Sequence, residues 1–340
     1  MKTYETNQEA LSDTLEEIMY HGTDVGPKGL KTKELTEPLV FRIRNIRKRL
    51  TASKHLRINP LYPYIEGMWI LLGEDSPDRL INYSKFPMQF VNSKYNRLDG
   101  AYGPRIRAAC PVERSEFGGD PAIDQLDLIY NRLKEDRNTR RAVITISSPL
   151  YDWNSSSLDI PCTQAFQFLI RNGGLDMITT MRSQDIVKGL PNDLAEFQWI
   201  QEIVSGWLNV APGTYTHFVG SAHIYETDFK LAYEYMKNES NFTFLYCNRE
   251  PLDCRVNKLF FNHILSLLGV AETKLQLDPN NFFSMLKKFD VVKWPEFYQR
   301  LFRVIAANSY YKKGYLNDAK RLVEDAVTDL EYFFNERWSQ

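Results

Sequence analysis

Cys162 follows a proline in "IPCTQ" and opens an alternating apolar run, so its thiol is either a nucleophile or a small hydrophobe packed into the core. Further on, Arg182 and Ser183 set a guanidinium beside a hydroxyl, and upstream "RNTRR" places Arg137, Arg140 and Arg141 in one turn. These groups suit a phosphomonoester, because a guanidinium fork matches two phosphate oxygens; the alternative for the turn is a solvated surface bend. Glu66 lies inside the apolar segment "PLYPYIEGMWILLGE". Burial there would raise its pKa and suit it to proton transfer, unless it is a satisfied core carboxylate. His223 and Tyr225 in "SAHIY" alternate and so share a strand face, fit for two hydrogen bonds to one hydroxylated ligand; a lone strand histidine is otherwise structural. "MRSQDIVKGLPND" ends on Asn192 and Asp193, either of which can cap the helical pattern that follows.

The elements that must position these groups are legible as patterns. Residues 60–74 are apolar and end on Gly73, as a buried helix with a C-terminal glycine would. "AIDQLDLIYNRLKED" is an amphipathic helix, followed by the Arg-rich turn and a β-branched strand, "AVITIS". "QAFQFLIRNGGLDMITTMRS" alternates on both sides of "NGG" and predicts a hairpin with Cys162 before its first strand and Arg182 at the end of its second, so both could line one mouth. "NDLAEFQWIQEIVSGWLNV" is helical and "GTYTHFVGSAHIY" strand-like. From about residue 280 the pattern becomes amphipathic helices broken at Gly314, which predicts a catalytic domain over 1–278 and a helical extension over 279–340.

The chain has 340 residues, with 42 Lys and Arg against 43 Asp and Glu. That balance supplies no field for wrapping nucleic acid or docking on an anionic membrane. Apolar residues at 43% and aromatics at 13% fill a substantial core and argue against disorder. No stretch approaches the roughly 20 apolar residues of a membrane span, and the N-terminus lacks a secretory apolar core, so a soluble cytoplasmic protein is expected. Cys110, Cys162, Cys247 and Cys254 match no zinc spacing; they are expected to be free thiols, and no metal is expected.

Taken together and in order, these stretches resemble the thymidylate synthase family over most of residues 1–275. The resemblance rests on the acid of "EGMWILLG", the Tyr-Gly step of "LDGAYGPRIR", the Arg pair of "NTRRAVI", "IPCTQAFQF", "MRSQDIVKGLPND" and the His-x-Tyr of "GSAHIY". It implies an α/β (α+β) fold with a large mixed sheet packed with helices. It also implies a homodimer in which the partner's Arg140 and Arg141 join Arg182 and Ser183 around a nucleotide phosphate. Cys162 is then the nucleophile, Glu66 the proton-relay carboxylate and Tyr102 part of the polar network. Asp185, with Gly189 of the same turn, meets the folate, and His223 and Tyr225 read the sugar hydroxyl. The implied co-substrate is 5,10-methylenetetrahydrofolate. A thiolate adding to pyrimidine C6 turns C5 into a carbon nucleophile, and Arg182 is expected to help hold Cys162 as that thiolate.

Six departures from the family pattern follow. Family members that act on uracil carry Asn where this chain has Asp193. Cytosine reverses the base edge, with a donor at N4 and an acceptor at N3, so Asp193 is expected to select a cytidine monophosphate and to assist protonation at N3. Met88 and Val91 stand at two tryptophan positions, and the chain runs on into helices where synthases end in a short apolar tail. Both features serve hydride transfer, so water is the expected nucleophile and the product 5-hydroxymethyl, as in deoxycytidylate and cytidylate hydroxymethylases; phages use the former to modify DNA precursors. Thr163 follows the cysteine where many synthases have His, and Ser221 replaces an Asp. No phosphate-loop Arg is evident near the N-terminus, where Lys28 is the substitute. The rivals are a reductive dCMP 5-methyltransferase and a non-catalytic nucleotide-binding or scaffold protein.

Overall fold

A computed structural model describes residues 1–26, 29–51, 53, 55–56, 58–109, 122–153, 157–238 and 251–324; Lys28, Cys110 and Cys247 lie outside the described residues. In chain order the elements are β1 (Lys2–Tyr4), α1 (Asn7–His21), β2 (Thr23–Val25), β3 (Thr32–Glu34), β4 (Leu39–Ile43), α2 (Tyr62–Leu72), β5 (Val91–Asn92), β6 (Arg97–Leu98), α3 (Tyr102–Arg107) and α4 (Gln125–Glu135). There follow β7 (Val143–Thr145), α5 (Pro149–Asp152), β8 (Thr163–Arg171), β9 (Gly174–Asp185), α6 (Leu190–Trp207), β10 (Ala211–Tyr225), α7 (Phe229–Asn238), α8 (Lys258–Leu277), α9 (Asn281–Lys288), α10 (Glu296–Lys312) and α11 (Leu316–Glu324).

Local signals explain the turns that matter. The hairpin between β8 and β9 closes through Asn172 at φ 50° and Gly173 at φ 80°, the two positive φ values that a tight two-residue loop requires. Gly73 ends α2 in the left-handed region at φ 77°. The entry to α6 differs from the expected capping. Pro191 suits the first turn of a helix, so α6 starts at Leu190 with Gly189 at its cap, and Asn192 and Asp193 fall inside the first turn. Asn192 donates to Lys188 O instead, and Asp193 is left with its side chain free for another partner.

The main sheet runs β1-β4-β10-β9-β8-β7, with β3 pairing the far end of β10 and β2 pairing β3. It is mixed: β9 and β10 are parallel, joined by the crossover helix α6, while β8 pairs antiparallel with both β9 and β7. Its two faces differ. The in-register row Ile144, Phe166, Thr179, His217, Phe41 is fully buried beneath the helices. The next row, Thr145, Ala165, Thr180, Phe218, Val40, stays at least partly exposed on the other face.

α6 has 15 of its 18 residues buried, as a helix apolar nearly all round must. It packs against α2 and α8, and the core continues into the last helices. Tyr298 of α10 donates to Cys254 O at 2.6 Å, and the Phe297 ring meets Tyr64 of α2 and Trp199 of α6 edge-on or tilted, at 5.7 and 6.3 Å. Gly314, at φ 87°, separates α10 from α11. Among the described residues no helix is long and apolar enough to cross a membrane, and no group of acids, histidines and cysteines could hold a metal.

Candidate active site

The ends of β8 and β9 form a mouth. Pairing of the hairpin strands brings the Arg182 N–H to Cys162 O at 2.8 Å. The guanidinium folds back over the same segment, donating from Nε to Pro161 O and from Nη2 to Ile160 O, both at 2.9 Å. Cys162 is a half-buried free thiol. Burial pushes it above the ordinary thiol value; Arg182 works against that, and Asp193, Asp159 and Asp185 add to it. Arg182 therefore acts in the expected direction, but burial and the nearby acids outweigh it and favour the thiol over the thiolate.

Register sets the rest of the mouth. Ser183 lies opposite Ser221, and Asp185 opposite His223. The His223 and Tyr225 rings sit 5.0 Å apart and nearly perpendicular, so they present one face, as the alternation predicts. Asp185 Oδ1 accepts from the N–H groups of Val187 and Lys188, which anchors the carboxylate in the turn, and burial still holds its pKa above the usual range. Tyr102 accepts from the Thr163 N–H at 3.3 Å, one residue from the cysteine; burial, with Asp193 and Cys162, keeps its hydroxyl protonated.

Behind the mouth lies a pocket of acids. Glu66 projects from α2 and accepts from Tyr62 OH at 3.1 Å. Asp193 and Glu196, three positions apart, project from one side of α6 toward it. Burial first, and Asp193 second, push the Glu66 carboxyl up to about 7. Burial raises Asp193 to about 7 as well, against the lowering effect of Gln184 and with a contribution from Asp185. Glu196 is almost wholly buried, lies within hydrogen-bonding reach of Glu66, and is pushed well above the carboxylate range by burial, Glu66 and Asp193. Two carboxyls so placed hold one proton between them. The pocket is thus a reservoir of protons near neutral pH.

Asp193 is held from the sheet side. Gln184 Nε2 donates to Asp193 Oδ2 at 2.6 Å, Gln184 Oε1 faces His217 Nε2 at 3.2 Å, and His217 Nδ1 faces Tyr215 OH at 2.9 Å. His217 is fully buried, and burial lowers its pKa to about 3, so the ring is neutral. Gly189 makes room for this contact: a Cβ there would come within 2.7 Å of Gln184 Nε2 and 2.9 Å of Asp185 O.

Ten of the sequence-derived residues therefore converge: Cys162, Arg182, Ser183, Asp185, Gly189, Asp193, Glu66, Tyr102 and the His223–Tyr225 pair around them. Arg140 and Arg141 do not. They are exposed, with Arg140 O accepting from Gln167 and Arg141 O from Arg132, beside the far end of β8, roughly 20 Å of strand from Cys162. Met88 is exposed and Val91 half-buried. The residues missed from sequence are Glu196, Gln184 and His217. Glu196 had a signal, an acid one turn from Asp193 in an otherwise apolar helix; the other two are joined only by the pairing of β9 with β10.

Comparison with known proteins gives the class. The thymidylate synthase family model matches residues 9–259, and the chain belongs to that family. It is 33% identical over 219 residues, 64% of its length, to a deoxyuridylate hydroxymethyltransferase of Bacillus phage SP01, covering 56% of that protein. It is 31% identical over 128 residues to the thymidylate synthase of Enterobacteria phage T4 and 28% over 134 residues to that of Mycoplasma genitalium, 36% and 38% of this chain and 42% and 45% of those proteins. The chain spans about half the length of these relatives.

Proposed function

We propose that the protein is a one-carbon transferase that hydroxymethylates C5 of a cytidine monophosphate, dCMP or CMP. Cys162, once ionised, adds to C6 while Asp193 in its acid form donates to N3, which makes C6 a better target for the thiolate. Carbon C5 then attacks the one-carbon unit; loss of the C5 proton and cleavage of the bond from that carbon to its carrier nitrogen would leave a methylene on C5 and release the carrier amine. Water adds to the resulting exocyclic methylene as the Cys162 Sγ–C6 bond breaks, which restores the ring and frees the thiolate. 5,10-Methylenetetrahydrofolate would supply the one-carbon unit. Asp185 is the candidate partner for a ring N–H of that donor, since two backbone N–H groups tie down Oδ1 and so fix the carboxylate. Glu66, its carboxyl pushed up to about 7 by burial and by Asp193, is suited to pass protons at the base.

The observation that carries the base is Asp193 with a carboxyl near 7, held on one oxygen by Gln184. An acid there can donate to cytosine N3 and accept from N4. The name of the SP01 relative favours a second reading, deoxyuridylate as the substrate of the same hydroxymethylation. Arg182 is assigned to the phosphate, with Arg140 and Arg141 reaching it from a second copy across the partly exposed sheet face. The distance of that Arg pair from Cys162 in one chain, and Phe218 and Val143 exposed on that face, support the homodimer.

Mass spectrometry of products from CMP, dCMP and dUMP, each with methylenetetrahydrofolate, tests this reading. A gain of one hydroxymethyl group on dCMP or CMP, with dUMP turned over more slowly, is expected. Preferred turnover of dUMP overturns the base, and a methyl product overturns the water step.

A further inference from the structure

A neutral carboxyl group is an ambiguous reader of a base edge. One oxygen carries the proton and donates, the other accepts, and the two exchange roles at little cost. An acid at position 193 could therefore match either the cytosine edge or the uracil edge, depending only on which oxygen holds the proton. Acidity at that position is not by itself a specificity device.

The sheet removes the ambiguity. An ionised Asp193 can only accept, so Gln184 must turn its NH2 toward Oδ2 and its carbonyl toward His217. The neutral His217 ring must then carry its hydrogen on Nε2, which leaves Nδ1 to accept from Tyr215 OH. All three bonds run one way, from Tyr215 through His217 and Gln184 to Asp193, and every member is satisfied. When the acid takes up a proton, Oδ2 is already the acceptor, so the proton goes to Oδ1. Reversing it would require the Gln184 amide and the His217 tautomer to flip together inside a buried row, against a turn at Gly189 with no space for a Cβ.

We propose that Gln184, oriented by His217 and Tyr215, fixes which oxygen of Asp193 carries the proton, and so makes Asp193 discriminate between the two base edges. The three are positioning residues that act through Asp193. The proposal rests on the reading of Asp193 as the group that meets the base. The other titratable groups around Asp193 are Glu66 and Glu196 from the helices, Asp185 and Cys162 from the strand ends, and Tyr102 and Tyr62. None of them donates to Oδ2.

The test is calorimetric binding of dCMP and of dUMP to the full chain, which needs no co-substrate or turnover. In Gln184→Met the side chain keeps its length and loses the amide; the ratio of the two dissociation constants is expected to move toward one by about tenfold, about 1.4 kcal/mol. Tyr215→Phe, which removes a single hydroxyl and keeps the ring, is expected to move it the same way by a smaller factor, and it carries the test if Gln184→Met does not fold. A general weakening would change both constants equally and leave the ratio alone, and that outcome overturns the proposal. The base reading fails separately, if the wild-type protein binds dUMP more tightly than dCMP. Loss of discrimination in the variants then still supports the positioning chain.

Discussion

The mouth around Cys162 and the acid pocket behind it handle charge in opposite ways. At the mouth, charge is kept and placed: Arg182 is fixed over backbone carbonyls, and Asp185 is tied down by two N–H groups. In the pocket, charge is suppressed: Glu66, Asp193 and Glu196 crowd together and hold protons to about neutral pH or beyond. In the proposed function the mouth takes a ligand with fixed charge, such as a phosphate, and the pocket takes a neutral ring whose protons must move. The proposed substrate, a pyrimidine nucleotide, carries both parts and would satisfy the two regions together.

Three variants would break or sharpen this contrast. The largest effect belongs to the mouth: Cys162→Ala is expected to lower tritium release from C5-tritiated dCMP by at least about a thousandfold, since the covalent route through C6 is lost. Unchanged release would leave the protein a binder without this chemistry. Next, Asp193→Asn keeps the shape of the pocket and removes its shared acid. The ratio of kcat/KM for dCMP over dUMP is expected to fall by about tenfold or more, one well-placed hydrogen-bond pair being worth roughly that much; a constant ratio would remove Asp193 from base selection.

The smallest effect is on stability. A carboxyl whose folded pKa lies above its unfolded value keeps its proton in the folded chain while the unfolded chain has lost it, so stability falls as pH rises from about 4 to about 7. Glu196→Gln removes one such group, and is expected to flatten that fall and raise the melting temperature at pH 8 by about 2 °C while changing it little at pH 4. A lower melting temperature at pH 8 would mean that Glu196 holds the helices together by bonding and is not under strain from its charge.

The mouth was far more legible in the sequence than the pocket, for a physical reason. Hairpin pairing is local, so "NGG" alone places Cys162 opposite Arg182, and strand alternation alone puts His223 beside Tyr225. The pocket depends on contacts between parts far apart in the chain: α2 against α6, and β9 against β10 across the crossover. From Glu66 the sequence offers a buried acid but not its neighbour Glu196. From Asp193 it offers a cap, which Pro191 rules out by starting α6 earlier. Gln184 looks like a spacer between Ser183 and Asp185 until β10 brings His217 beside it. Arg140 and Arg141 are plain in sequence, yet one chain leaves them beside the far end of β8, away from Arg182 and Cys162.

The packing of Phe297 against the Tyr64–Trp199 ring pair has a consequence for how the protein comes into being. Tyr64 lies two positions from Glu66, and the Trp199 ring packs directly over the adjacent Gly67. A nascent chain that has emerged only as far as residue 280 already contains every catalytic group named above, yet the wall behind them lacks its last ring. Competence should therefore arrive late in synthesis, when α10 is delivered, and a ribosome stalled before that point would display a complete set of reactive groups on an unfinished scaffold.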